Sequence, residues 1–266
     1  MINNINIVKI GGNIIDDEIK LNQFLQDFAQ LSGPKILIHG GGKIATEVAK
    51  GLGIEARLVD GRRITDAEML KVVTMVYGGL VNKNIVAKLQ AFNCNAIGLT
   101  GADANIIPAQ KRPVKTIDYG FVGDITAEKV QGQNIQLLLD NGFVPVIAPL
   151  THDGHGHLLN TNADTIASTV AVALAQFFAT NLTYCFEKKG VLASIEDENS
   201  VIPQITQESY QTLKQDGIIV QGMIPKLDNA FEAIKAGVKS VFICHADDIL
   251  SVLEKKEKAG TELVHK

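Results

Sequence analysis

The sequence predicts an α/β protein of three layers, an αβα sandwich with helices on both faces of a mostly parallel central sheet. Two observations carry that prediction. Short β-rich runs alternate with amphipathic helical stretches from one end of the chain to the other. The runs are near-continuously apolar, as strands covered on both faces are, rather than alternating between a wet and a dry side. No Pro- or Ser-rich linker divides the 266 residues, so the chain reads as a single domain. Its two lobes, about 1–178 and about 179–266, are expected to pack together.

Each element follows from its local pattern. Ile5–Ile10 is an apolar strand, and Asp16–Leu31 a helix with Leu21, Phe24, Leu25 and Phe28 on one face. Lys35–His39 is a second strand; Gly40-Gly41-Gly42 closes it and opens a helix to about Gly51. Asp66–Phe92 is helical and broken near Gly78-Gly79, since glycine weakens a helix interior. Asn95–Leu99 is a strand, and residues 106–125, with Pro108, Pro113 and Gly120, are hairpins. Thr126–Asn141 is a helix and Val144–Leu150 a buried strand ended by Pro149. Beyond it, Asn162–Phe178, Gln207–Gln215, Met223–Ala236 and Ala246–Lys258 are helices. Leu182–Phe186, Ser240–His245 and Thr261–Val264 are strands.

Composition narrows the function. Apolar residues at 46% and charged residues at 20% exclude a disordered chain. A net charge of −4 leaves no basic field to hold nucleic acid or an anionic membrane. Cys94, Cys185 and Cys244 are odd in number and form no CxxC pair, so buried reduced thiols are expected, without disulfide or zinc. The first residues read as a strand rather than a signal peptide. The longest apolar stretch, Ile166 to Phe178, is too short to span ~30 Å of hydrocarbon. A cytoplasmic location is the expectation.

In an open α/β sheet, ligands bind beyond the carboxyl ends of strands. Three glycine-rich loops fall there: Lys9-Ile10-Gly11-Gly12, His39-Gly40-Gly41-Gly42 and Gly98-Leu99-Thr100-Gly101-Ala102-Asp103. Glycine lets backbone N–H groups approach an anion, and a helix N-terminus adds a favourable dipole. The GxxxxGK[ST] phosphate loop is absent. Gly40-x-Gly42-x-x-Ala45, with Asp60 further on, fits a dinucleotide fingerprint and makes a nicotinamide oxidoreductase one alternative. That alternative leaves the other polar clusters unexplained. Asn160-Thr161-Asn162-Ala163-Asp164 precedes a helix that needs only one cap. Lys226 stands in the first turn of a helix, where the dipole disfavours a cation, and Lys9 stands in an apolar strand. Both lysines call for an anionic partner, and Asp164 can hold them. By contrast, His152-Asp153-Gly154-His155-Gly156-His157 reads as a hairpin tip rather than a metal site, and Glu254-Lys255-Lys256-Glu257-Lys258 as a solvated face.

Taken in order, Lys9-x-Gly11-Gly12, His39-Gly40-Gly41-Gly42, Gly61-Arg62-Arg63-Ile64-Thr65, Asn160-x-Asn162-Ala163-Asp164 and Gly222-Met223-x-x-Lys226 resemble the amino-acid kinase family across essentially the whole chain. The Arg63 segment and the Asn160 cluster resemble the branch that phosphorylates N-acetyl-L-glutamate on its γ-carboxylate in arginine biosynthesis. That resemblance implies ATP as phosphoryl donor, with Mg2+ carried on the nucleotide rather than in a protein cage. It implies that Lys9 and Lys226 balance charge on the moving phosphoryl group and that Asp164 holds both ammonium groups. Gly11, Gly41 and Gly42 would cradle anions, Arg63 would grip the α-carboxylate, and Asn160 would bond the amino-acid moiety. Gly11, Gly12, Glu187, Gly190, Leu192, Ile219 and Gly222 are the implied nucleotide contacts. Where the family usually carries an aspartate after the Leu182–Phe186 strand, this chain has Glu187 followed by Lys188 and Lys189. N-Succinyl-L-glutamate is the alternative substrate, its longer tail wanting a cation such as Lys83, Lys111 or Arg112. Arginine feedback in the family accompanies an extra N-terminal helix, so an arginine-insensitive homodimer is expected, with Asp66–Phe92 the candidate interface.

Overall fold

Alternation along the first strand fixes the layers. The computed structural model describes residues 4–59, 61–194, 196–219, 223–255 and 259–265. In it, β1 (Asn4–Ile10) sends Ile5 and Ile7 into one core and Val8 and Ile10 into the other. Seven more strands join it: β2 (Lys35–Ile38), β3 (Ala96–Leu99), β4 (Val144–Ile147), β5 (Ala179–Phe186), β6 (Gln204–Thr206), β7 (Ser240–His245) and β8 (Thr261–Val264). They form one sheet in the order β6-β8-β7-β5-β1-β2-β4-β3. Every pairing is parallel except β7 with β8, so the mostly parallel α/β sandwich holds. The same in-and-out alternation recurs in β2, β5 and β7, where Ile36 and Ile38, Leu182 and Tyr184, and Val241 and Ile243 share the core of Ile5. Leu37, Cys185 and Cys244 face the other way.

Two sets of helices cover these faces. Ala163–Leu174, Ile224–Lys235, Gly132–Asp140 and Gln207–Gln215 lie over the first core. Glu18–Gln30, Gly42–Gly51 and the long run Ala67–Ala91 lie over the second. The Glu18–Gln30 helix buries Leu21, Phe24, Leu25 and Phe28 as its pattern requires. Asp17 caps it, accepting from the Ile19 and Lys20 N–H groups. Cys94, Cys185 and Cys244 are free and buried, with the Cys185 and Cys244 sulfurs 3.8 Å apart on neighbouring strands. Among the described residues no helix is long and apolar enough to cross a membrane.

Several boundaries depart from the sequence reading. The long helix is not broken at Gly78-Gly79; it passes through a π-helical stretch, Thr74–Val81, between two α-helical parts. The run packs against the Leu150–His152 and Leu158–Asn160 ribbon, and a side chain at Gly78 would meet Leu150 Cδ1 at an ordinary 3.4 Å, so the tertiary contact carries the helix past the glycine pair. The Thr126–Asn141 helix divides into a 3-10 turn and the α-helix Gly132–Asp140. Edge strand β6 has no counterpart in the expectations; three residues beside Pro203 make too short a run to register. The closing helix starts as a 3-10 turn and ends in a π-helical stretch, Ser251–Lys255, while residues 256–258 lie outside the described residues.

Candidate active site

Lys9 shares the face of Ile5 and Ile7, which turns it toward the helix Ala163–Leu174. Asp164 stands in the first turn of that helix, and Lys9 Nζ lies 2.8 Å from its Oδ1. This is an ion-pair contact without hydrogen-bond alignment. The lysine side chain is 9% exposed and the carboxylate 31%. Asp164 is free for the task because Asn162 caps the helix, its Oδ1 accepting the Thr165 N–H at 3.0 Å. Asn160 has a third, separate role: its amide donates to Thr65 Oγ1 at 2.9 Å.

Lys226 arrives from the first turn of Ile224–Lys235, and its Nζ sits 3.7 Å from the centre of the Phe186 ring. Lys9 Nζ is 5.4 Å from the same ring. Burial holds Lys226 below the ordinary lysine range, with Asp164 acting against the shift and Lys9 adding to it. Among the described residues only Lys9 comes within ion-pair distance of Asp164. In this structure Asp164 contacts Lys9 directly and acts on Lys226 through its charge from beyond ion-pair distance, while an aromatic face supports both cations. Two ammonium groups thus share one ring, with Asp164 on Lys9 and the charges of Asp164 and Glu187 both favouring the Lys226 ammonium. Phe186 was not anticipated, and nothing in its sequence position marks it except the end of a central strand.

The first two glycine loops divide their duties differently from the expectation. The Gly11 N–H donates to Cys185 O at 3.0 Å, continuing the ladder past β1, and so cannot cradle a phosphate. Gly11 serves close approach instead; a Cβ there would lie 3.3 Å from Phe186 Cδ1. Gly12 opens the short helix Gly12–Ile15. Gly41 holds φ +139°, and a side chain on it would press on Tyr77 and Val81 at 3.2 and 3.3 Å. Arg63 is buried beside that loop, donating to Gly42 O at 2.7 Å and to Thr46 Oγ1 at 2.8 Å. Gly40, Gly41, Gly42, Arg63 and Asn160 line one cavity of about 480 Å³, together with Tyr77 and Arg112. The third loop does not reach it: Thr100 and Asp103 bond each other, and Gly98 and Gly101 give way to close neighbours.

The remaining expected contacts scatter. Glu187 is exposed and accepts from Asn13 Nδ2 at 3.0 Å, beside the lysine cluster. Lys188 pairs with Glu198 and Lys189 bonds Asn199, both away from Glu187. Gly190 packs against Thr261 and Val201, and Ile219 is a buried core residue, so the structure gives both a packing role. Leu192 is half-buried and bridges to Val201. Gly222 and Asp60 lie outside the described residues. The histidine-rich tip is a turn, its Asp153 accepting from the His155 and His157 N–H groups and from His157 Nδ1. Of the acidic-basic run, Glu254 is less idle than expected: it accepts from the Ser32 N–H and hydroxyl.

An αβα sheet with two lysines on one aromatic ring and a glycine-lined cavity at its strand ends suits a phosphotransferase, and the chain belongs to the amino acid kinase family, whose pattern matches residues 4–245. Its relatives carry a narrower name. It is similar to the acetylglutamate kinase of Cytophaga hutchinsonii, 62% identical over 97% of both chains, and to that of Bacteroides thetaiotaomicron, 58% identical over 97% of both. The acetylglutamate kinase of Methanopyrus kandleri is 37% identical over 92% of this chain and 96% of that one. Among solved structures, a Giardia carbamate kinase superposes with a TM-score of 0.69 at 14% identity, covering 99% of each chain. An N-acetylglutamate synthase from Neisseria gonorrhoeae, solved with coenzyme A and N-acetyl-glutamate, reaches 0.82 at 21% identity, covering 98% of this chain and 59% of that one. At those identities the likeness is of fold alone.

Proposed function

We propose that the protein transfers the γ-phosphoryl group of ATP to the γ-carboxylate of N-acetyl-L-glutamate. The observation that carries this reading is the pair of lysines on one aromatic shelf beside a glycine-walled cavity, in a chain whose near relatives are named acetylglutamate kinases. A carboxylate with an ordinary pKa of about 4.3 is ionised at pH 7, so no general base is needed. Its oxygen attacks phosphorus while the bond to the bridging oxygen breaks and ADP leaves. What the protein must supply is positive charge and alignment. Lys9 and Lys226 balance the charge spread over the transferring group, and Asp164 holds Lys9 in place. The N–H groups of Gly41 and Gly42 cradle the reacting anions, Arg63 grips the α-carboxylate, and Asn160 bonds the amino-acid moiety. Mg2+ comes with the nucleotide, held mainly by phosphates and water. In this reading the lobe up to about residue 178 takes the acyl amino acid, since the cavity lining runs from Gly40 to Thr165. The later lobe takes ATP, with Glu187 and Leu192 at its edge. The chain works as a cytoplasmic homodimer. The exposed Met75 and Leu80 on the π-helical stretch support the long helix as the interface.

A second reading, N-succinyl-L-glutamate as substrate, has a specific observation behind it. The cavity meets a second one of about 590 Å³ at Arg62, Arg112 and Asp124, and Lys115 adds to its lining. Arg112 is held by Asp124 yet leaves its buried Nη1 without a partner among the described residues. Lys83 and Lys111 are engaged elsewhere, with Gly98 O and the Phe121 ring. Incubation with MgATP and, in parallel, glutamate, N-acetylglutamate and N-succinylglutamate, trapping acyl phosphate with hydroxylamine, tests both. A hydroxamate from one acylated substrate assigns the acyl group. Silence from all three, in folded protein that binds ATP, ends the acylglutamate reading and points to a different carboxylate kinase of the same superfamily.

A further inference from the structure

His39 is fully buried at the end of β2, outside the reacting groups just described. Its Nδ1 lies 2.7 Å from Gly40 O. A carbonyl oxygen only accepts, so Nδ1 carries the proton and donates. Its Nε2 lies 3.1 Å from Asn82 Nδ2, and that amide nitrogen also donates to Val146 O at 2.9 Å. Nε2 is therefore the acceptor of a neutral ring. Asn82 is in turn oriented by Lys83, whose Nζ donates to Asn82 Oδ1 at 3.1 Å and to Gly98 O at 2.9 Å. The interior glycine of β3 makes room for this chain of bonds: a Cβ at Gly98 would lie 2.0 Å from Asn82 Oδ1. Burial holds the ring pKa at about 4, so the imidazole stays neutral at working pH.

The consequence lies one peptide further on. No cis peptide bond occurs among the described residues, so the Gly40 C=O and the Gly41 N–H of that planar unit point opposite ways. Drawing the Gly40 oxygen inward onto His39 turns the Gly41 N–H outward. Gly40 and Gly41 both line the cavity, and among the described residues no protein group accepts from the Gly41 N–H. We propose that His39, oriented by Asn82, is a positioning residue that locks the Gly40–Gly41 peptide with its N–H aimed at the transferring phosphoryl or attacking carboxylate. The inference rests on the kinase reading above. It adds what holds the glycine loop in register, a task that the loop's own flexible residues cannot perform.

A donor that meets charge only as it develops affects kcat more than KM. The test pairs two amides of different reach. His39→Asn places its Nδ2 near the position of the lost Nδ1 and keeps a donor for Gly40 O. His39→Gln places its amide near Nε2 and does not. The expected result is a loss of kcat of at least about tenfold in His39→Gln, with KM for ATP and for the acyl amino acid within about threefold of wild type. In His39→Asn, kcat returns to within about threefold. Equal kcat in the two variants, each normalised to folded protein, would overturn the proposal, because a packing role alone does not distinguish the two amides. A 15N spectrum of the wild-type imidazole needs neither variant nor turnover: a bare Nδ1 and a protonated Nε2 would overturn the proposal outright. Because the tautomer is read without substrate, its outcome stays separate from failure of the kinase reading, which shows as no hydroxamate from the wild type.

Discussion

At the scale of single residues, the two lysines are held by different physics, and each hold has its own signature. Lys9 is almost fully buried and depends on one carboxylate. Removing that charge by Asp164→Asn leaves an ammonium group without its counter-charge. Exposed pairs are worth ~0–1 kcal/mol and fully buried ones cost ~3–5 kcal/mol when broken. With Asp164 31% exposed, a loss of about 2 kcal/mol is expected. Calorimetry of the variant should show a Tm lower by several degrees, and kcat should fall with it. Arg63 works through geometry as well as charge. It donates from Nη2 to Gly42 O and Thr46 Oγ1 and from Nη1 to the Met69 sulfur at 3.9 Å, a weak acceptor that a carboxylate displaces. Arg63→Lys keeps the charge but loses the planar fork, so KM for the acyl amino acid should rise by roughly tenfold or more while KM for ATP stays put. An unchanged KM for the acyl amino acid would remove Arg63 from the substrate site.

At the scale of elements, the caps and turns separate stability from activity. Asp17 caps Glu18–Gln30 far from the cavity. Asp17→Ala should cost about 1 kcal/mol, a Tm drop of roughly 2–4 °C, and leave kcat unchanged. Gly41 sits where the second loop becomes a helix, at φ +139° and against Tyr77 and Val81. Gly41→Ala should abolish most activity even where the protein folds, since both the backbone angle and the Tyr77 contact must shift. The elements also show what a one-dimensional pattern carries. Strands such as β1 and β5 and helices such as Glu18–Gln30 were legible because one stretch of side chains reports one buried face. The glycine loops, Lys9, Arg63, Asn160, Asp164 and Lys226 were legible as residue types out of place in their elements. Phe186, Tyr77 and the His39–Asn82 contact were not, because each acts between a helix and a strand end far apart in sequence. The continuity of the long helix through Gly78-Gly79 is not legible either, because the stretch packs on the Leu150 ribbon, a neighbour the local pattern does not contain.

At the scale of the whole molecule, two buried groups with opposite preferences shape the response to acid. His39 has its pKa held at about 4 against an ordinary 6.5, because burial disfavours the imidazolium. A base with a depressed pKa contributes stability that is present above 6.5 and lost as the pH falls through 4. The difference corresponds to about 3 kcal/mol at most. Asp16 lies just past the Gly12–Ile15 helix, with neither carboxylate oxygen hydrogen-bonded among the described residues. Burial pushes its pKa above the ordinary 3.8, Glu47 adds to the shift, and Lys43 at 3.8 Å opposes it. An acid with a raised pKa behaves the other way: its ionised form burdens the fold at neutral pH, and the burden lifts as the pH falls below its raised value. Between pH 7 and 4 the wild type should therefore lose Tm on account of His39, partly offset by protonation of Asp16. His39→Asn removes the first effect, so its Tm should fall less steeply across that window than that of the wild type. Asp16→Asn removes the second: its Tm should exceed the wild-type value at pH 7, with the gap closing as the pH approaches 3.8. Thermal melts of the three proteins at half-unit pH steps read both slopes. Parallel curves for wild type and His39→Asn would mean that the imidazole is not kept neutral by the fold, which would remove the physical basis for treating the ring as the fixed support of the glycine loop.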